Sequence, residues 1–132
     1  MQVEREGRIG PWPFSEYLGF RVVELDTDEV VLEGVPGPEH CNSGGVVHGG
    51  YLAALLDSAT GVVIHTHVEP GMSVPHLQLN VQYLRAALPG SAVECRARVV
   101  TGGRRVFTAE AEAIQAGRVV AKATSTNLVS DR

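Results

Sequence analysis

A chain of 132 residues, 44% hydrophobic and 20% charged, is long enough for one core and too apolar to stay disordered. Its formal net charge of −4 argues against nucleic acid as the main partner. Two cysteines, Cys41 and Cys95, are too few for a disulfide scaffold and lack zinc-site spacing, so no metal is expected and both read as reduced thiols of a cytoplasmic protein.

In chain order, residues 1–12 read as a loose arm, charged at its start and without the apolar stretch of a signal peptide. Pro11 and Pro13 flank Trp12 and exclude a regular helix through this point. Ser15 is placed to cap a short turn ending at Leu18, with Trp12 or Phe14 pinning that turn to the core. Residues 20–25 and 29–35 read as two strands joined at Asp26-Thr27-Asp28. Pro36-Gly37-Pro38 closes the second strand and opens an irregular loop to Gly45.

Over residues 48–67 the period changes. Ala53, Leu55, Leu56, Ala59, Val62 and Val63 make a helix that is apolar on most faces, which predicts burial; Pro70-Gly71 stops it. Its most apolar part, 51–64, carries Asp57, Ser58 and Thr60 and is too short and too polar to cross a bilayer. Beyond it the period is two. Leu77, Leu79, Val81 and Tyr83 face one way, followed by Val93, Cys95, Ala97 and Val99, then by residues 106–114 and 118–129. Pro89-Gly90, Gly102-Gly103 and Ala116-Gly117 are the turns. Two strands, one long helix and four strands predict a single α+β domain, an antiparallel sheet curled around the helix. One small sheet leaves open edges, so an edge-to-edge dimer is expected.

The chemistry concentrates in Asn42-Ser43-Gly44-Gly45-Val46-Val47-His48-Gly49-Gly50 and in Asp57, a single acid on the greasy helix. A glycine-rich loop entering a helix offers unpaired backbone N–H groups. A carboxylate among apolar neighbours is costly unless it acts as base or nucleophile. The pattern Asn42-x5-His48-Gly49-Gly50-x6-Asp57, with the strand Leu77-Gln78-Leu79-Asn80-Val81-Gln82-Tyr83-Leu84-Arg85 after it, resembles the active-site signature of the PaaI-type acyl-CoA thioesterases. The order of elements is similar to the hotdog fold, and the match spans about residues 15–129. The resemblance implies hydrolysis of an acyl-CoA, aryl or medium-chain, to a carboxylic acid and free CoA. It also implies no cofactor beyond the CoA of the substrate, and a homotetramer built as a dimer of dimers with sites at the dimer interface.

Thioester hydrolysis needs a donor for the developing oxyanion and an oxygen nucleophile. Gly49, at the predicted helix N-terminus, is the candidate donor. Asp57 is the candidate nucleophile or water-activating base, and the residues alone do not choose between those roles. Asp57 follows Gly49 by eight residues, about 12 Å along a helix, too far to serve the same carbonyl. The expectation is a site combining Gly49 of one subunit with a buried Asp57 of the other. In the resembling family the loop Asn and His lie beside the thioester, which makes Asn42 and His48 the further catalytic candidates. Gly50 and His76 are candidate substrate contacts; many relatives carry Ser or Thr at this second position, so Pro75-His76 is a departure. Arg85 and Gly103-Arg104-Arg105 are candidates for the CoA phosphates. His40, His65 and His67 are expected to be structural, and Cys41 has no base following it at a recognisable spacing. Two rivals stand beside the thioesterase: a hotdog hydratase or dehydratase acting on acyl thioesters, and a non-catalytic acyl-CoA-binding sensor.

Overall fold

The structure, a computed structural model, describes residues 12–131, so most of the expected N-terminal arm lies outside the described residues. Helix α1 (Pro13–Leu18) begins with Pro13 in its first turn, where a missing N–H costs nothing and φ is already set. Ser15 is therefore inside the helix and not its cap; it is buried, and its carbonyl accepts the Phe20 N–H at 2.9 Å. Gly19 ends the helix at φ +79°, a left-handed conformation that glycine adopts without strain. Trp12 packs against the core, whereas Phe14 is exposed.

The remaining elements are β1 (Arg21–Leu25), β2 (Val30–Gly34), a 3-10 turn (Pro38–His40), α2 (Gly49–His65), β3 (Met72–Ser73), β4 (His76–Tyr83), β5 (Val93–Gly102), β6 (Val106–Gln115), β7 (Arg118–Leu128) and β8 (Ser130–Asp131). Six strands form one antiparallel sheet in the order β1-β2-β5-β6-β7-β4. A second, two-stranded ribbon pairs β3 with β8, two elements absent from the sequence-based expectation. The sheet wraps α2, the hotdog arrangement. Leu55, Leu56, Ala59 and Val63 are fully buried against an inner sheet face rich in small residues, among them Cys95, Ala97, Ala109, Ala113 and Ala121. Small side chains let the helix sit close to the sheet, and each buried leucine contributes about 1.5–3 kcal/mol.

Coverage of α2 is one-sided. Gly50, Ala53, Ala54, Asp57, Ser58 and Gly61 form a stripe that stays exposed or half-buried, so the helix is not enclosed all round as its composition predicted. Among the described residues the sheet has two free edges, β1 and β4. β1 is short and bulged between Val22 and Glu24. β4 pairs with β7 without interruption from Gln78 to Tyr83, but its start is bulged: His76 opposes Asn127 and Gln78 opposes Thr126, leaving Leu77 as the extra residue. That slip overturns the simple alternation. Leu77 is 61% exposed, and His76 instead shares the inner face with buried Asn127.

Candidate active site

The loop before α2 is held by its own polar groups. Asn42 and Val46 pair through backbone (Asn42 N–H to Val46 carbonyl, 2.9 Å), and Cys41 bridges Val47. Asn42 Oδ1 accepts the Gly44 N–H at 2.9 Å and the Val46 N–H at 3.4 Å. That oxygen builds the loop, which leaves the Asn42 amide nitrogen as the group with a hydrogen to offer a substrate.

His48 is the N-cap of α2: its Nδ1 accepts the Gly50 N–H at 2.7 Å. Nδ1 as acceptor puts the neutral ring's proton on Nε2, so His48 faces solvent as a donor. The same bond engages the Gly50 N–H, which is therefore not free for a substrate oxygen. The Gly49 N–H, by contrast, makes no hydrogen bond among the described residues and stands at the positive end of the helix dipole. Tyr83 lies against Gly49 and donates its hydroxyl hydrogen to the Gly49 carbonyl at 2.8 Å. A Cβ at position 49 would meet that ring at 3.1–3.2 Å, so glycine is what the close packing requires. Beside it opens a hollow of about 380 Å³, lined by Val47, Leu52, Leu84 and Arg85 among others. Gln115 anchors the hollow's outer loop: its Nε2 donates to the Leu88 and Ser91 carbonyls, and its Oε1 accepts the Leu88 N–H.

Asp57 stands two turns farther along α2. Its side chain is 52% exposed in the single chain, not buried as expected, because it lies on the stripe that the sheet leaves open. Its Oδ2 is 3.6 Å from His76 Nδ1, while His76 Nε2 sits 2.9 Å from the hydroxyl of fully buried Thr60. Gly61 lies beside the ring, where a Cβ would make an ordinary van der Waals contact with His76 Cε1 at 3.4 Å. The β4 bulge and the helix thus bring Asp57, His76 and Thr60 together at the middle of the helix, with Gly49, His48, Tyr83 and Arg85 at its N-terminus.

The basic candidates divide in the same way. The Arg85 N–H donates to the Val120 carbonyl, and the Arg105 carbonyl accepts the Val129 N–H. Nine residues of strand separate those anchors, about 30 Å. Arg104 and Arg105, on the turn after Gly103, belong to the Asp57 end of one chain and Arg85 to the Gly49 end. A larger hollow of about 670 Å³ on the outer sheet face is lined by Arg96, Arg98 and Lys122, weaker phosphate candidates by sequence, and by none of the loop, helix or β4 residues of the candidate site. Cys95 is buried, and burial pushes its thiol up, which makes it a poor nucleophile. Cys41 donates its thiol hydrogen to the Gly37 carbonyl at 3.6 Å. His67 donates to the Thr27 carbonyl and His40 accepts the Gly37 N–H, both structural roles. Among the described residues no group of three or more His, Cys, Asp or Glu could hold a metal ion, and no helix is long and apolar enough to cross a membrane. Sequence reasoning missed Tyr83 and Thr60 as parts of the site; Tyr83 passed for one more inward residue of an alternating strand, and Thr60 for core filling.

The sequence profile described as the thioesterase superfamily matches residues 44–122, the stretch from the glycine loop into the first half of β7. The chain belongs to that superfamily. Among solved structures, this PaaI-like hotdog thioesterase is 32% identical to a phenylacetic acid degradation-related protein of Ralstonia eutropha with a provisional thioesterase name, with TM-score 0.87 and 96% and 97% of the two chains covered. It is 34% identical to a mutant form of the phenylacetic acid degradation protein PaaI of Thermus thermophilus, with TM-score 0.83 over 89% and 98%. A Streptococcus pneumoniae protein with a provisional thioesterase name, solved with coenzyme A, is 27% identical, with TM-score 0.78 over 86% and 91%. A Pseudomonas aeruginosa protein with a provisional esterase name is 33% identical over 86 residues, 65% of this chain; the match spans 64% of that relative and 53% of a second, from Caenorhabditis elegans.

Proposed function

We propose that the protein hydrolyses an acyl-CoA thioester to a carboxylic acid and free CoA, at a site shared by two copies of the chain. The observation that carries this reading is the split within one helix. A free N–H at Gly49 and an accessible carboxylate at Asp57 are the two groups the reaction needs, and they stand about 12 Å apart. The free edge of β4 supplies the way to join them. Tyr83 marks the Gly49 end of that strand and His76 the Asp57 end. Antiparallel self-pairing centred between Leu79 and Asn80 sets one copy's His76 opposite the other's Tyr83, and so brings Asp57 of one copy toward Gly49 of the other. It also carries Arg104 and Arg105 of the Asp57-bearing copy to the side where Arg85 lines the hollow, joining the two basic groups around the CoA phosphates.

In this arrangement the thioester carbonyl oxygen accepts the Gly49 N–H, an interaction of the kind worth about 2.7–4 kcal/mol in a transition state. His48 Nε2–H and the Asn42 amide contribute further donors beside the thioester, and Asp57 delivers the oxygen nucleophile, itself or from water. Water is the co-substrate and no cofactor takes part. The coenzyme A bound by the pneumococcal relative supports the CoA portion, and the phenylacetic acid names of two relatives support an aryl acyl group. Two free thiols suit a reducing cytoplasm. A pair of such dimers completes the tetramer implied by the resemblance.

The test is a thiol-release screen over aryl- and alkyl-CoA compounds, followed by mixing. Asp57→Ala and Gly49→Ala chains, each strongly impaired alone, are expected to rise to about a quarter of the native activity after co-refolding, because half the dimers are mixed and each holds one intact site. Mixtures no more active than their parents remove the shared site. Enoyl absorbance lost without thiol release identifies a hydratase, and acyl-CoA binding without turnover of any thioester identifies a sensor.

A further inference from the structure

Three acceptors and donors meet at Thr60, and their count decides the protonation of His76. The hydroxyl oxygen lies 2.9 Å from the Leu56 carbonyl, 3.1 Å from the Asp57 carbonyl and 2.9 Å from His76 Nε2. Carbonyls only accept, and the hydroxyl has one hydrogen. If that hydrogen pointed to the imidazole, two carbonyl oxygens would face the hydroxyl lone pairs at hydrogen-bond distance with no proton between them. The hydrogen therefore goes to the helix carbonyls, the usual back-bond of a helical threonine, and Nε2–H donates to Thr60. With Nε2 carrying the proton, the neutral ring turns a bare Nδ1 toward Asp57 Oδ2 at 3.6 Å.

We infer that Thr60 is a positioning residue which locks His76 as a hydrogen-bond acceptor, so that His76 Nδ1 and Asp57 together hold the two hydrogens of the attacking water. This inference rests on the thioesterase reading above and chooses between its two forms: Asp57 acts as a base on water and does not attack the carbonyl itself. The water oxygen bonds to the thioester carbon, its proton passes to the Asp57 carboxylate, and the oxyanion rests on the Gly49 N–H. When the C–S bond breaks, the same proton goes to the departing thiolate, giving free CoA, and the carboxylate is regenerated. Protonated His76 has no acceptor left; it donates to Asp57 instead and closes the water site. Among the described residues the charged group against the ring is Asp57, on α2; Thr60 and Gly61 from the same helix and Asn127 from β7 are neutral. The half-exposed carboxylate and the 17% exposure of the imidazole leave the space between them open to a water.

The experiment is nitrogen-15 NMR of the histidine side chains, assigned with His76→Ser, combined with kcat and KM of thiol release for the native protein, Thr60→Val and Thr60→Ser. The expected result is an Nε2–H form of His76 in the native protein and in Thr60→Ser, and a mixture of tautomers in Thr60→Val. Thr60→Val is expected to lose about tenfold in kcat with KM within about twofold, and Thr60→Ser to restore most of it. An Nδ1–H form in the native protein overturns the inference, as does Thr60→Val with unchanged tautomer and rate. A covalent acyl-Asp57 trapped by rapid quench, or oxygen-18 from solvent water appearing in Asp57 after a single turnover, also overturns it. Failure of the thioesterase reading looks different: no thiol is released from any acyl-CoA, while the NMR signal still decides the tautomer.

Discussion

The first turn of α2 and its middle perform opposite tasks with opposite means. At the first turn the functional group is backbone: Gly49 offers an N–H that no residue described here uses, with a histidine cap on one side and a tyrosine ring on the other. Two turns later the functional group is a side chain, Asp57, on the stripe where the sheet gives no cover. The first is fixed by helix geometry and can be spoiled only by crowding. The second depends on its neighbours, His76 and Thr60, and can be removed outright.

The largest break in that comparison comes from Asp57. Asp57→Asn keeps the shape and removes the base, so thiol release should fall by about 10²–10⁴-fold. Stability should hardly change, since the side chain is half exposed; a denaturant melt run beside the assay checks this. Gly49→Ala is next. Its methyl would crowd Tyr83 at 3.1–3.2 Å and displace the donor, with an expected loss of about 10–100-fold in kcat; a loss seen only in KM would mean that the N–H binds substrate without serving the transition state.

Stability reverses the ranking. Leu55→Ala, on the buried face of α2, is expected to cost about 2–5 kcal/mol in a denaturant titration. His48→Ala removes the cap and should cost about 1 kcal/mol while freeing the Gly50 N–H; equal stability would show that water replaces the cap. The smallest effect concerns Tyr51, at the start of the same helix. Burial, with the charge of Glu39 adding to it, pushes its phenol up from 10.0 to about 12. The folded protein then keeps a proton between pH 10 and 12 that the unfolded chain releases, so this contribution is complete below pH 10 and is lost as pH rises toward 12. Tyr51→Phe should flatten the stability curve in that window, and its hydroxyl, buried without a partner, is not missed near neutrality.

Most of the architecture was readable from a long apolar run in α2 and a period of two through most of β5 to β7, with glycine or proline between. The sequence also marked Asn42, His48, Gly49 and Asp57, whose spacing is a loop, a cap and a helix in succession. What it could not carry was register. Whether Leu77 or His76 faces inward depends on how β4 pairs with β7, residues some fifty positions away. The same holds for Thr60 and Tyr83, which gain meaning only from partners brought by the fold. Arg85 and Arg105 looked like one phosphate site, and strand direction places them about 30 Å apart in a single chain.

The slip at Leu77 has a wider consequence. Pairing resumes at Gln78 and runs undisturbed to Tyr83, so the sheet's grip on its last strand does not depend on what position 76 carries. A hydroxyl, an imidazole or an amide could hang there over the helix while the scaffold beneath stayed the same. The fold thus keeps one interchangeable socket beside its carboxylate, and the reagent fitted there can be exchanged without rebuilding the frame.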